Sequence, residues 1–171
     1  MNRFKVLLPI AALVLLLGSV APAFAAPPGD SIVDVALAVN ADTGEFSILI
    51  AALQAADPAV LETLDGNGQF TVFAPTDAAF VALLGELGLT AEELLSNEAL
   101  VTQVLLYHVA RGRRYSEDIL DSYRIRTLQR GFLMQDGGVL TDARGRTANI
   151  IAVDVEAANG IIHVIDTVVL P

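Results

Sequence analysis

The chain has 171 residues, 54% of them hydrophobic, with twenty acidic residues against ten basic ones and no cysteine. Those numbers rule out disulfide staples, thiol catalysis and cysteine-type zinc sites, and they leave an ordinary apolar core to hold the fold. A formal net charge of −10 argues against nucleic acid as the main partner.

The first 25 residues read as a secretory signal peptide. Arg3 and Lys5 precede the apolar run VLLPIAALVLLLGSV, and Ala23-Phe24-Ala25 fits the small-x-small cleavage rule. Residues 26–29 form a flexible start, and 30–171 is the length of a single domain, enough to bury about two-thirds of its unfolded surface. Later stretches are too short for a membrane anchor, which needs about 20 apolar residues. The protein is therefore expected to be secreted, periplasmic or extracellular.

From Asp30 to about Ala110 the apolar positions recur at helical spacing. Asp30 or Ser31 caps the first helix, Asp57 followed by Pro58 caps another, and Thr90-Ala-Glu-Glu93 is a capping box. One strand interrupts this half: FTVFAPT at 70–76 alternates and then breaks at Pro75, delivering the chain into a helix capped by Thr76 or Asp77. A helix is predicted from about Glu98 to Ala110, and a short helical turn at 116–121. After that RIRTLQ, GFLMQ, GGVLT, NIIAVDVEA and GIIHVIDTVVL read as strands, with Asn159-Gly160 as the strongest hairpin signal. Helices first and strands later is the pattern of an α+β domain.

Charge divides along the same line. Residues 26–110 hold twelve acids and no base, whereas 111–146 hold all eight remaining arginines against five acids. This asymmetry reads either as a binding face around Arg111, Arg113 and Arg114 or as internal pairing between an acidic half and a basic half.

The two histidines decide whether chemistry is expected. His108 shares a helical face with Leu100, Val101, Val104 and Leu105, and His163 shares a strand face with Ile161 and Ile165. Both positions favour a hydrogen-bonded core strut, since an unpaired buried polar group costs about 1–3 kcal/mol. No HExxH, GxSxG, GxGxxG or GxxxxGK is present, so no catalytic residue, metal or cofactor is nominated. The DGNG at 65–68 begins like a calcium loop, but its twelfth position is Thr76 rather than a bidentate Glu.

In order, FTVFAPTDAAF, LLYHVARGR and NGIIHVIDTVVLP resemble the three sequence boxes of the fasciclin domain, from about Asp30 to Pro171. The resemblance implies a wedge of β-strands packed against a layer of α-helices. It makes Phe70, Pro75, Thr76 and Asp77 a strand-to-helix junction and Asn159, Gly160 and His163 the turn and terminal strand. It places Tyr107 and His108 in a tyrosine–histidine box, with His108 stabilising the core at the edge of an interaction surface formed with Arg111, Arg113 and Arg114. Asp77 is the expected partner of His108 or the cap of its own helix. The implied function is non-enzymatic adhesion to a cell-surface or matrix protein or polysaccharide. The alternative is a carrier of an apolar ligand such as a carotenoid or lipid, whose mark would be a cavity walled by Leu and Val side chains.

Overall fold

A computed structural model describes residues 29–171; residues 1–25, read above as a signal peptide, and Ala26 to Pro28 of the expected flexible start lie outside the described residues. The helical half comprises α1 (Ile32–Thr43), α2 (Ser47–Ala55), α3 (Pro58–Asp65), α4 (Asp77–Leu87), α5 (Ala91–Leu95) and α6 (Glu98–Tyr107), with strand β1 (Phe70–Pro75) between α3 and α4. Then come β2 (Val109–Arg111) and α7 (Ser116–Leu120). Strands β3 (Arg124–Arg126), β4 (Phe132–Asp136), β5 (Val139–Thr141), β6 (Thr147–Ala157) and β7 (Gly160–Ile165) complete the fold.

Local chemistry accounts for most helix starts. Ser31 and Asp34 form a reciprocal capping box at α1, Asp57 accepts from the Ala59 amide with Pro58 at N1 of α3, and Thr90 with Glu93 caps α5. At the strand-to-helix junction Thr76 is the cap of α4, accepting from the Ala79 amide.

The strands form one seven-stranded sheet in the order β2-β1-β7-β6-β5-β4-β3. Among the described residues only β1 and β7 run parallel, in register from Phe70 with Gly160 to Pro75 with Ile165. A single bridge between Ala110 and Thr127 brings β2 to the chain just after β3, so the two edges of the curled sheet approach each other. The sheet thereby has an inside and an outside. Phe73, Tyr107, Ile119, Ile125, Leu133, Leu140, Ile165 and Val169 fill the inside of the curl. Val72, Ala74 and Ile162 face a larger core shared with the helices, including Leu49, Leu53, Phe80, Leu83, Val101 and Leu105. This is the expected α+β arrangement of a strand wedge on a helical layer.

One expectation is corrected and another is met. The helix predicted to reach Ala110 ends at Tyr107, because Val109–Arg111 pairs antiparallel with Phe70–Val72 instead. The Asn159-Gly160 hairpin has Ala158 and Asn159 as its two loop residues, since Ala157 pairs with Gly160. Gly160 is required for a different reason than turn geometry: a Cβ there would lie 2.2 Å from the Phe70 carbonyl oxygen and 2.6 Å from Ile32 Cδ1. Asn159 is fully buried, with Oδ1 accepting from the Ile32 amide at 2.8 Å and Nδ2 donating to the Leu64 and Gly66 carbonyls at 2.6 and 2.9 Å. One side chain thus joins the start of α1, the end of α3 and the entry to β7.

Gly160→Ala should therefore destabilise the domain by about 2–3 kcal/mol, despite the entropic gain that an alanine brings to the unfolded chain. Urea denaturation checks this; a midpoint equal to or above that of the parent would show that the β1–β7 approach is looser than described.

Candidate functional site

The tyrosine–histidine pair ends α6 inside the protein. Tyr107 is 0% and His108 2% exposed, so His108 is a core strut, as its helical spacing suggests, and Tyr107 is buried beside it and contributes no exposed surface. The reason lies in the register: the α6 face that carries Val101, Val104 and Leu105 into the core continues into His108, and the turn into β2 sends Tyr107 into the curl of the sheet.

The polar atoms of Tyr107 and His108 have backbone partners. The Tyr107 hydroxyl donates to the Phe132 carbonyl at 2.7 Å and accepts from the Ala143 amide at 3.1 Å. His108 Nε2 lies 3.2 Å from the Val169 amide and must accept there, which puts the proton on Nδ1, where it is donated to the Val104 carbonyl at 2.7 Å. Burial pushes the His108 ring down to about 4, against the opposite pulls of the Val104 carbonyl and the Asp142 carboxylate. The ring is neutral at physiological pH.

His163 is buried in the same manner, stacked on Phe73 with ring centroids 5.8 Å apart. Its Nε2 donates to the Arg114 carbonyl at 2.9 Å and its Nδ1 accepts from the Asp154 amide at 3.4 Å. Burial lowers its pKa too. The two histidines serve separate joints, and among the described residues no group of three or more His, Asp or Glu side chains is arranged to hold a metal ion.

Asp77 is neither the partner of His108 nor the cap of its own helix. Its carboxylate accepts from the Ser47 and Ile48 amides at 3.1 and 2.9 Å, capping α2 from thirty residues away. That helix needs an external cap because Phe46, in the left-handed region at φ 72°, offers no side-chain acceptor. Asp142 has a larger role, unmarked in the sequence. Its buried carboxylate accepts from the Arg144, Arg146 and Leu170 amides at 2.8–2.9 Å, folding the β5–β6 loop and fastening it to the C-terminal segment.

The three arginines after β2 have different fates. Arg113 is turned inward, donating to the Ala157 and Gly160 carbonyls. Arg111 is exposed and Arg113 and Arg114 are half-buried, and all three line a shallow cleft with Asp118, Asp121 and Ser122. The Thr71 hydroxyl, donating to the Gly112 carbonyl at 2.7 Å and accepting from the Arg114 amide at 3.0 Å, holds this segment against β1. Pairing across the acidic and basic halves is seen in the Arg146–Glu86 ion pair.

On the far side of His108 the helices enclose a cavity of about 500 Å³. Leu49, Leu83, Leu94, Val101 and Leu105 wall its buried part, while Leu87, Leu89, Gln103 and Arg144 form an exposed rim. The aliphatic helices thus do more than fill the core.

Comparison with known proteins fixes the lineage of this arrangement. The family model of the fasciclin domain matches residues 44–171. The chain belongs to the fasciclin domain family. It is 40% identical over 138 residues to protein sll1483 of Synechocystis sp., covering 78% of this chain and 71% of that protein. It is 35% identical over 130 residues to the immunogenic protein MPB70 of Mycobacterium bovis, covering 74% and 64%. Against the pig transforming growth factor-beta-induced protein ig-h3 the identity is 35% over 146 residues, 85% of this chain but only 20% of that protein. Among solved structures, a fasciclin domain pair from the insect cell adhesion molecule fasciclin I overlays with a TM-score of 0.56 at 23% identity, covering 69% of this chain and 42% of that one.

The fasciclin-box histidine gives the domain a defined acid response. His108 binds a proton near 6.5 when unfolded and near 4 when folded, so its contribution is fully present above about 6.5 and is lost as pH falls toward 4. His108→Gln should be less stable than the parent at pH 7, and the gap should narrow by on the order of 3 kcal/mol by pH 4. Denaturation of both proteins across that range measures it; a gap independent of pH would mean that the folded ring titrates normally. Asp77→Ala should cost about 1 kcal/mol through the lost cap of α2 and leave the His108-dependent pH response intact.

Proposed function

We propose that this fasciclin-domain protein is an exported, non-enzymatic interaction module that contacts a cell-surface or matrix protein or polysaccharide through the face around Arg111 and Arg114. The observation that carries this reading is the division of labour at the tyrosine–histidine box. Tyr107 and His108 spend their polar atoms on backbone groups inside the fold, while the segment directly after them presents arginine on a strand edge fixed by Thr71. A pre-positioned loop loses little conformational freedom on binding. The histidines support the non-enzymatic reading, since a general base needs a free ring nitrogen within reach of a substrate and both nitrogens of each ring are engaged. An extracytoplasmic setting is supported by the leader-like residues 1–25 and by 34% identity over 115 residues to the cell surface glycolipoprotein MPB83 of Mycobacterium bovis, of which the chain covers 49%. Among the described residues no single helix is long and apolar enough to cross a membrane.

Arg111→Ala with Arg114→Ala should abolish binding to isolated surface material or polysaccharide while shifting stability by no more than about 0.5 kcal/mol. Arg113 is left in place because its guanidinium holds two carbonyls of the β6–β7 turn. Binding that survives the double substitution would remove this face from consideration.

The cavity beside His108 favours a second reading, carriage of an apolar ligand such as a carotenoid or lipid. Its volume falls within the roughly 300–1,000 Å³ typical of small-molecule sites, and its wall is mainly Leu and Val. Native mass spectrometry and an absorption spectrum of protein purified from its own host separate the readings. Excess mass or visible absorbance favours the carrier; a bare polypeptide mass leaves the interaction module in front.

A further inference from the structure

The seam where the two edges of the sheet meet gathers arginines that the chain leaves unneutralised. The antiparallel bridge between Ala110 and Thr127 sets the register there, and the Leu128 amide donates to the Val109 carbonyl at 2.7 Å in the same register. One residue further along, Arg111 therefore stands opposite Arg126. Ala110 and Ile125 point into the curl, so the alternation of a strand turns Arg111, Arg124 and Arg126 to its outer side, where all three are exposed. Strand geometry spaces the Cα atoms of Arg124 and Arg126 by about 7 Å, and cross-strand neighbours such as Arg126 and Arg111 by about 5 Å. Arg114 continues the row into the cleft that Arg111 lines.

Like charges opposite each other in a sheet repel, and a chain with twenty acidic residues has carboxylates to place between them. It places none. Among the described residues the ion pairs are those of Arg146 with Glu86 and Asp142, and the guanidinium groups of Arg111, Arg114, Arg124 and Arg126 make no hydrogen bond. Arg124 is held by a ring instead: its guanidinium lies 3.5 Å from the centroid of Phe132, which fixes the plane and leaves the N–H edge to a partner. The acids nearest the row stand to one side, where Asp118 and Asp121 form the α7 wall of the cleft and the Asp118 carboxylate is engaged by the Tyr115 amide at 3.0 Å.

We infer that this seam binds a linear anionic polysaccharide, whose successive carboxylate or sulfate groups lie along Arg124, Arg126, Arg111 and Arg114. This rests on the interaction-module reading and narrows its partner to one class. Anions repeated along a single strand relieve the repulsion within the row and use the planar donor forks of its arginines. A protein partner fits less well. A specific protein interface covers about 800 Å² on each side and would run from the row onto Glu117, Asp118 and Asp121, all exposed, whereas a glycan strand is narrow enough to follow the arginines alone.

The test immobilises polygalacturonate, dextran sulfate, neutral dextran and polyglutamate, and measures binding of the exported protein to each in calcium-free buffer. At least one of the two anionic polysaccharides should bind, dextran should not, and the stronger of the two tells whether carboxylate or sulfate is preferred. Raising the salt should weaken the binding. Arg124→Gln with Arg126→Gln, which leaves Arg111 and Arg114 in place, should lower the affinity about tenfold or more, with a thermal melt to confirm that the variant folds. Unaltered affinity in this double variant would overturn the row. Polyglutamate bound as tightly as the anionic polysaccharides would overturn the polysaccharide class in favour of an acidic protein. If neither anionic polysaccharide binds but surface material of the host is still held through Arg111 and Arg114, the class is overturned and the module reading stands. If the surface material is not held either, both fall together.

Discussion

A histidine sealed among aliphatic side chains has to be neutral, and a neutral imidazole needs one donor and one acceptor opposite its two nitrogens. In this domain that requirement is met only if the last turn of α6 and the segment at 168–170 lie on either side of His108. The residue's main chain adds to the constraint: its carbonyl accepts from the Phe73 amide at 2.9 Å, placing α6 directly beside β1. Three parts of the chain distant in sequence, helix, central strand and C-terminal segment, meet at one ring. Tyr107 and Asp142 extend the joint by tying the β4 and β5–β6 regions to the same place.

The cavity is a by-product of this joint. Because Leu170 and Pro171 are carried past His108 by the bonds at Val169 and Leu170, they roof a space that the helices alone would leave as an open groove. The same bonds set Arg144 at the rim, since the carboxylate that fastens Leu170 also folds the loop from which Arg144 projects. Core stability and the shape of the cavity thus depend on the same few hydrogen bonds.

Much of this was legible in the sequence where the cause is local. The caps at Ser31, Asp57, Thr76 and Thr90 sit within three residues of the amides they serve, and the inward aim of His108 follows from helical spacing. The failures share a physical reason, that the deciding partner is remote. Val109–Arg111 has helical neighbours, but β1 claims it as a strand. Asp77 looks like a local cap, but Thr76 takes that role and Asp77 serves amides thirty residues upstream. Asp142 sits in an unremarkable DARGR loop, and only its contact with Leu170 gives it meaning. Whether aliphatic helices fill a core or enclose a chamber depends on how closely they approach, for which residue types carry no signal.

The lone parallel pairing in the sheet also sets the order in which the domain can assemble. Strand β1 has β2 on one side within forty residues, but its other neighbour, β7, lies about ninety residues away along the chain, and the core of the helical layer is closed only by that second pairing. Bringing such distant segments together costs loop entropy before any contact rewards it, so folding is expected to be slow relative to a helical domain of this size. A growing polypeptide holding residues 30–150 has its helices and β1 to β5 but lacks β7, the second neighbour of β1, and the Val169 amide that donates to His108. Both cores stay incomplete until the C-terminal segment supplies Ile162, Ile165, Val168, Val169 and Leu170.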